Sequence, residues 1–256
     1  MLSDTARLIA EGAGVAAAVG LAAGGWSYAA LTPQSQIFGP TLIAPERAGE
    51  IALTFDDGPN PAWTPKLIDM LAAHRVKATF FLVGKYAEAE PYLTRHIAAS
   101  GHIIGNHSWS HPNLAFAGRK RIREELYNTK HMLEQITGSR VRYFRPPFGA
   151  RRPFVLNEAR ELGMSPVLWN AMTNDWEEPS AEVIAERLGQ KVDSLGRRGR
   201  SATIVLHDGG HLEPAADRGP SVAAAEKLIK RYIGVRRFVT AEYLQWGPKP
   251  VSVRPR

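Results

Sequence analysis

The feature that most restricts the fold is an alternation that begins at Ile51. Short apolar runs rich in β-formers exchange with longer amphipathic stretches as far as Thr240. The strand-like runs are Ile51–Phe55, Ala78–Val83, His102–Ile104, Arg142–Phe144, Pro166–Trp169, Ala202–Leu206 and Arg237–Thr240. Helical patterns lie between them: through Leu67–Leu71, at Pro91–Ser100, over Arg119–Ile136 with a stop at Gly138, then at Phe154–Leu162, Ala181–Leu195 and Val222–Ile233. Repeated βα units lay parallel strands side by side through right-handed crossovers. About seven strands suit a distorted (β/α) barrel, one that need not close, better than an open sheet. The expected fold class is therefore α/β.

In such folds chemistry collects in the loops that follow the strands, and the unusual residues fall there. The first strand runs into Asp56-Asp57-Gly58-Pro59-Asn60, a carboxylate pair followed by turn residues. Successive strand side chains point to opposite faces, so the two acids can take different roles in one site only if the strand has already ended. Asp, Gly, Pro and Asn also make ordinary turns, so this stretch alone decides nothing. The later loops decide it. They carry His107 and His111, then Arg145-Pro146-Pro147-Phe148-Gly149, then Asn174-Asp175-Trp176, and finally His207-Asp208-Gly209-Gly210. Five loops converge on one rim.

His107 and His111 are four residues apart, which lets one helical turn aim both imidazoles at one ion. That spacing is weak evidence by itself. With one acid from the first strand it becomes a two-histidine, one-carboxylate set with positions left open for water and substrate. The neighbouring acid then stays free as a base. His207 is placed to protonate a leaving group, and Arg145, stiffened by two prolines, to pair with a carboxylate or a substrate oxygen. Trp109 and Trp176 offer faces for a sugar ring, though core packing explains either equally well. His74, His96 and His131 fall in helical stretches away from the rim; His102 and His211 fall near it without an evident role.

The absence of cysteine excludes disulfides, a thiol nucleophile and thiolate metal ligands. A net charge of +7 is spread over scattered basic residues with no interleaved aromatics, which argues against a nucleic-acid partner. The N-terminus is compositionally separate. Residues 13–31 carry no charge, contain Gly20-x-x-x-Gly24, and end near Trp26 and Tyr28. A membrane anchor or uncleaved signal is the first reading; a cleaved signal and a soluble packing helix are the others. Thr32–Glu50, with Pro33, Pro40 and Pro45, reads as a linker or an extended wrap. The expected division is thus an apolar segment and linker at 1–49, a catalytic domain at 50–246, and a basic tail at 247–256.

Taken together, Thr54-Phe55-Asp56-Asp57-Gly58-Pro59, His107-x-x-x-His111, Arg145-Pro146-Pro147-Phe148-Gly149, Asp175-Trp176 and Leu206-His207-Asp208 resemble the five ordered motifs of the polysaccharide deacetylases. These are carbohydrate esterase family 4, the NodB homology domain. The match runs from about Glu50 to Trp246. The resemblance implies a distorted (β/α) barrel, and a divalent metal ion, zinc first with cobalt, nickel or manganese as alternatives. It also implies hydrolysis of N-acetyl groups on β-1,4-linked amino sugars, as in peptidoglycan or a chitin-like oligosaccharide. By the same resemblance Asp57, His107 and His111 bind the metal, and Asp56 is the general base held by Arg145. The Phe148 N–H supports the oxyanion, Asp175 tunes the general acid His207, and Trp176 and Leu206 line the acetyl pocket; Trp109 is taken as a further sugar contact.

Two departures bear on the sugar subsites. Asn170 stands where an acid is common, and Phe148 replaces a frequent tyrosine. A second enzymatic reading keeps the fold and changes the bond, to an O-acetyl ester, as in xylan, a cyclic amide or a formamide on a lipid-linked sugar. A binding module without activity should have lost part of the acid, metal and base set, all of which is present. The expected partners are an acetylated glycan and, through the N-terminal segment, a membrane. The expected location is the bacterial cell envelope. Nothing in the sequence speaks to oligomeric state.

Overall fold

The computed structural model describes residues 23–246. Along the chain it places helix α1 (residues 23–31), β1 (Leu42–Pro45), β2 (Glu50–Asp56), α2 (Thr64–Ala73) and β3 (Thr79–Leu82). Next come α3 (Gly84–Ala89), α4 (Pro91–Ala99), β4 (Ile103–Asn106), α5 (Arg119–Thr137), β5 (Tyr143–Phe144), α6 (Pro153–Glu161), β6 (Ser165–Pro166) and β7 (Ala171–Met172). The chain closes with α7 (Ala181–Arg197), β8 (Ala202–His207), α8 (Gly219–Tyr232), β9 (Arg237–Val239) and β10 (Leu244–Trp246).

The main sheet runs β6-β5-β4-β3-β2-β8-β7, with β9 added against the start of β2, and its pairings are parallel. It curls into a half-barrel with helices outside, the α/β architecture expected from the alternation. β2 is its central strand, buried at every residue and paired with β3, β8 and β9. The strand period of two sorts its side chains. Ile51, Leu53 and Phe55 pack outward into the large core under the helices. Ala52 faces the other way, into a smaller cluster with Phe81, Val167, Val239 and Leu244. Asp56 shares the face of Ala52, so the first acid is delivered to the hollow side of the sheet.

The structure departs from the sequence reading at four places. Helix α3 follows β3 directly, where no helix was expected. The strand expected at Pro166–Trp169 stops after Pro166, because Leu168 and Trp169 turn inward to pack on Val205. β1 and β10 form a small antiparallel ribbon of their own. Finally, the fold begins before Glu50. Ala29 and Ala30 are buried, Trp26 packs on Phe116 with ring centroids 5.5 Å apart, and Leu42 bridges to Val167. Thr32–Glu50 is thus a wrap rather than a free linker.

Among the described residues no helix is long and apolar enough to cross a membrane. Residues 13–22 of the uncharged run and the tail at 247–256 lie outside the described residues.

Phe55 is fully buried and stacks on Phe80 at 5.3 Å. Phe55→Ala removes a large core side chain from the central strand and is expected to cost about 3–5 kcal/mol, read as a lowered midpoint in urea unfolding.

Candidate active site

The site stands where β2 ends. Asp56 is its last residue and Asp57 follows at φ 69°, a left-handed backbone that turns the second carboxylate toward the same hollow as the first. The turn has little room. A Cβ on Gly209 would sit 2.1 Å from the Asp57 carbonyl oxygen, so only glycine lets the loop after β8 close over it. Both carboxylates are almost wholly buried.

His107 and His111 reach Asp57 from the loop after β4, and not from one turn of a helix as the spacing suggested. Ser108 and His111 adopt left-handed φ of 65° and 59°, and the His111 N–H donates to Ser108 Oγ at 3.1 Å. The folded loop, not helical periodicity, brings the rings together. Glu125 on α5 holds it in place, accepting from the Ser110 N–H at 2.8 Å and the Ser110 hydroxyl at 2.7 Å. Arg121 pairs with the same carboxylate at 2.6 Å.

The donor atoms here suit a cation. His107 Nδ1 lies 2.8 Å from the Arg145 carbonyl oxygen, which can only accept, so this nitrogen carries the proton. In the neutral ring Nε2 is then a bare lone pair, and it sits 3.4 Å from Asp57 Oδ1; His111 Nε2 lies 3.2 Å from that same oxygen. Asp57 Oδ1 is buried and accepts no hydrogen bond. Burial by itself raises the Asp57 carboxyl; His107, His111 and His211, when protonated in an ion's place, hold it well below the usual carboxylate range. Asp57, His107 and His111 are the one group among the described residues whose donor atoms converge as metal ligands do. A divalent ion would satisfy all three, and the chemistry of the set fits one.

Asp56 stands beside that cluster, with Oδ2 3.9 Å from His107 Nε2. Its other oxygen takes a 2.6 Å bond from Arg145 Nη1, which also donates to Thr54 Oγ1 at 2.7 Å. Arg145 is fully buried between the rings of Phe81 and Trp169. Burial lowers its pKa, with Asp56 working against that fall.

Across the hollow, His207 Nδ1 lies 2.8 Å from Asp175 Oδ1, which leaves Nε2 facing the cavity. Asp175 is itself fixed by the His207 backbone N–H at 2.9 Å and the Ser221 hydroxyl at 2.7 Å. Burial disfavours the charged ring, but Asp175, with Asp57 and Asp56 nearby, carries the His207 pKa up to about 9.

These groups line a cavity of about 240 Å³ whose apolar walls are Phe148, Trp169, Met172, Trp176 and Val205. Phe148 sits at φ 58° in the turn Pro147–Gly149. Its neighbours Gly149 and Ala150 give their N–H groups to Pro146 and Pro147, while no described hydrogen bond uses the N–H of Phe148.

Three expectations need correction. Leu206 does not line the cavity: strand alternation turns it into the core under the helices, and Val205, one residue earlier, shares the wall with His207. Trp109 turns away and packs over Gly84, where an added Cβ would stand 2.6 Å from its ring. His102 is not near the site. It stands just before β4, which His107 follows, and five residues of extended chain put about 16 Å between them; its Nδ1 accepts from the Ala78 N–H at 3.2 Å. Burial lowers its pKa to about 4.

His74, His96 and His131 all lie outside the site. Asn170 does not reach the cavity either, since its amide bonds Ser201 and Thr203. His211, by contrast, stacks on His111 at 4.5 Å and lies 3.7 Å from Asp57 Oδ2. Val205 was legible as the residue two before His207. Ser221 and Glu125 carried no local signal.

The sequence profile of the polysaccharide deacetylases matches residues 44–167. A peptidoglycan-N-acetylglucosamine deacetylase of Bacillus cereus is 39% identical over 199 residues, covering 77% of this chain and 68% of the relative. A chitooligosaccharide deacetylase of Sinorhizobium fredii is 36% identical, covering 71% and 85%. Among solved structures, a carbohydrate esterase family 4 pseudoenzyme from Bacillus anthracis superposes with a TM-score of 0.70 at 25% identity, over 80% of this chain and 67% of that one.

The ligand set generates a direct test. Chelator-stripped protein should take up one divalent ion per chain by calorimetry, more weakly as pH falls because protons compete for the ligands. Asp57→Ala or His111→Ala should abolish uptake. Undiminished binding in either variant would place the ion elsewhere.

Proposed function

This chain belongs to the polysaccharide deacetylases, and from that premise we propose how its own residues carry out the family's reaction. It is a metal-dependent hydrolase that removes N-acetyl groups from amino sugars of a polysaccharide such as peptidoglycan or a chitin-like oligosaccharide. Because the fold also occurs in a pseudoenzyme, the argument for activity rests on the residues. The observation that carries it is the pair of poised proton carriers, Asp56 on Arg145 and His207 on Asp175, on opposite sides of the metal cluster.

Asp57, His107 and His111 would hold the ion, with zinc the first choice for a set of two imidazoles and a carboxylate. When bound, the ion supplies Lewis acidity toward the amide carbonyl and lowers the pKa of a water. Asp56 takes the proton from the attacking water. Arg145 occupies one of its oxygens, so the other is left free to act as base. The Phe148 N–H faces the negative charge that develops on the carbonyl oxygen. His207 gives its Nε2 proton to the departing sugar nitrogen, which cannot leave as an anion; Asp175 holds the ring and keeps it protonated. Trp176 and Trp169, with Val205 and Met172, exclude water around the acetyl methyl.

A wider groove shares Met172 with the cavity and offers Asn174, Glu177 and Gln190, amide and carboxylate groups suited to the hydroxyls of neighbouring sugars. Deacetylase relatives named for peptidoglycan support action in the bacterial cell envelope. The uncharged run at 13–31 supports a membrane tether.

The test of the reaction is acetate release from acetylated chitooligosaccharides and peptidoglycan, lost with chelator and restored by zinc. O-acetyl xylan as the better substrate would favour the ester reading. Asp56→Asn and His207→Ala should each lower kcat by about 10²–10⁴-fold at full metal occupancy. A general acid with a pKa of about 9 keeps its proton below that pH and loses it above, so activity falls on the alkaline side. Asp175→Asn removes the anion that favours the charged ring and should move that limb to lower pH; an unmoved limb would remove His207 from the acid role. The tether has its own test. The full chain should fractionate with membranes, and a chain beginning at Ala23 should be soluble without detergent.

A further inference from the structure

Arg151 is buried nearly as completely as Arg145, yet it forms no ion pair among the described residues. Its guanidinium is used on backbone carbonyls. Nη1 donates to Ala30 at 3.2 Å and Gly149 at 3.0 Å, and Nη2 to Thr32 at 2.7 Å and Ser35 at 2.8 Å. The Arg151 N–H adds a bond of 3.1 Å to the same Ala30 oxygen. Three of these acceptors belong to the end of α1 and the turn after it, a segment that precedes the residues matched by the family profile. The fourth belongs to the turn that carries Phe148.

Each partner needs the other. The last carbonyls of a helix have no donors within the helix, and the negative end of its dipole favours a cation. The turn at Phe148 and Gly149 is two consecutive left-handed residues, φ 58° and 65°, and the first of them is not glycine. Such a backbone persists where its surroundings hold it. A second thread joins the same two regions. Gln34 Nε2 donates at 3.2 Å to the carbonyl of Trp169, whose ring walls the cavity and abuts Gly149.

We propose that Arg151 is a positioning residue for the deacetylation reaction, clasping residues 30–35 to the Phe148 turn. The segment ahead of the family domain is then a working part of the active site and not only a connection to it. The kinetic consequence rests on the role given to the Phe148 N–H under Proposed function. Displacing that donor weakens stabilisation of the reacting oxygen, while Asp57, His107 and His111 stay in place.

The test uses the full chain with Arg151→Met, which fills the space without donors, and Arg151→Lys, which restores a charge and donors on a single atom. Arg151→Met should lower kcat on an acetylated chitooligosaccharide by about 10–100-fold, the scale of a small misplacement of catalytic groups. KM and the amount of bound metal should stay unchanged at temperatures well below unfolding. Arg151→Lys should recover part of the loss. Amide exchange, followed by mass spectrometry, should accelerate in Arg151→Met for both residues 30–36 and residues 146–150, and not for Ala202–His207. A folded Arg151→Met variant with kcat within twofold of wild type, or with unchanged exchange at 146–150, overturns the proposal. If the wild-type chain releases no acetate, the functional reading fails, and the exchange comparison still decides whether the clasp exists.

Discussion

Two adjacent carboxylates buried at the end of one strand set the terms for this structure. Removing an ionised group from water is costly unless a cation or donors compensate it, and Asp56 and Asp57 are both nearly inaccessible. The answers differ for the two acids. Asp56 receives a fully buried arginine; Asp57 receives two imidazole nitrogens in ligand geometry and fits a divalent ion. That difference suits one acid to accept a proton and the other to bind a metal, the roles proposed for them, although they are neighbours in sequence. Without the left-handed turn at Asp57 the second carboxylate would point to the opposite face of the sheet.

The surrounding architecture supplies the compensating groups from distant parts of the chain. Arg145 comes from the end of β5, the imidazoles from the loop after β4, and Asp175 with His207 from β7 and β8. A parallel half-barrel brings these together because all of its strands end on the same side. The donors are then locked from behind: Glu125 grips the histidine loop, Ser221 the Asp175 carboxylate, and Arg151 the Phe148 turn. These supports come from residues far along the chain or bond the backbone, so they leave no recognisable motif.

The sequence was most informative about the residues bearing charge at strand ends and least informative about apolar walls. Asp56, Asp57, His107, His111, Arg145, Asp175 and His207 all fall in the hollow because strand ends and loops were legible from periodicity and turn residues. Leu206 was misassigned by one position: a run of apolar residues buried on both faces hides the alternation that puts Val205 inward. Trp109 was misassigned because an aromatic beside a histidine motif carries no directional information. His102 looked close in sequence, but an extended strand separates it from the site.

By itself the sequence determined the βα alternation, the parallel sheet it entails, and the ionisable residues that stand at the strand ends, since those follow from local periodicity and residue type. Only the tertiary structure decided that the imidazoles converge through a left-handed loop and not a helical turn, and which wall residues enclose the acetyl site. It alone made the segment from residue 23 part of the domain. Those outcomes depend on contacts between residues up to more than a hundred positions apart, such as Arg151 with Thr32, and no local pattern encodes them.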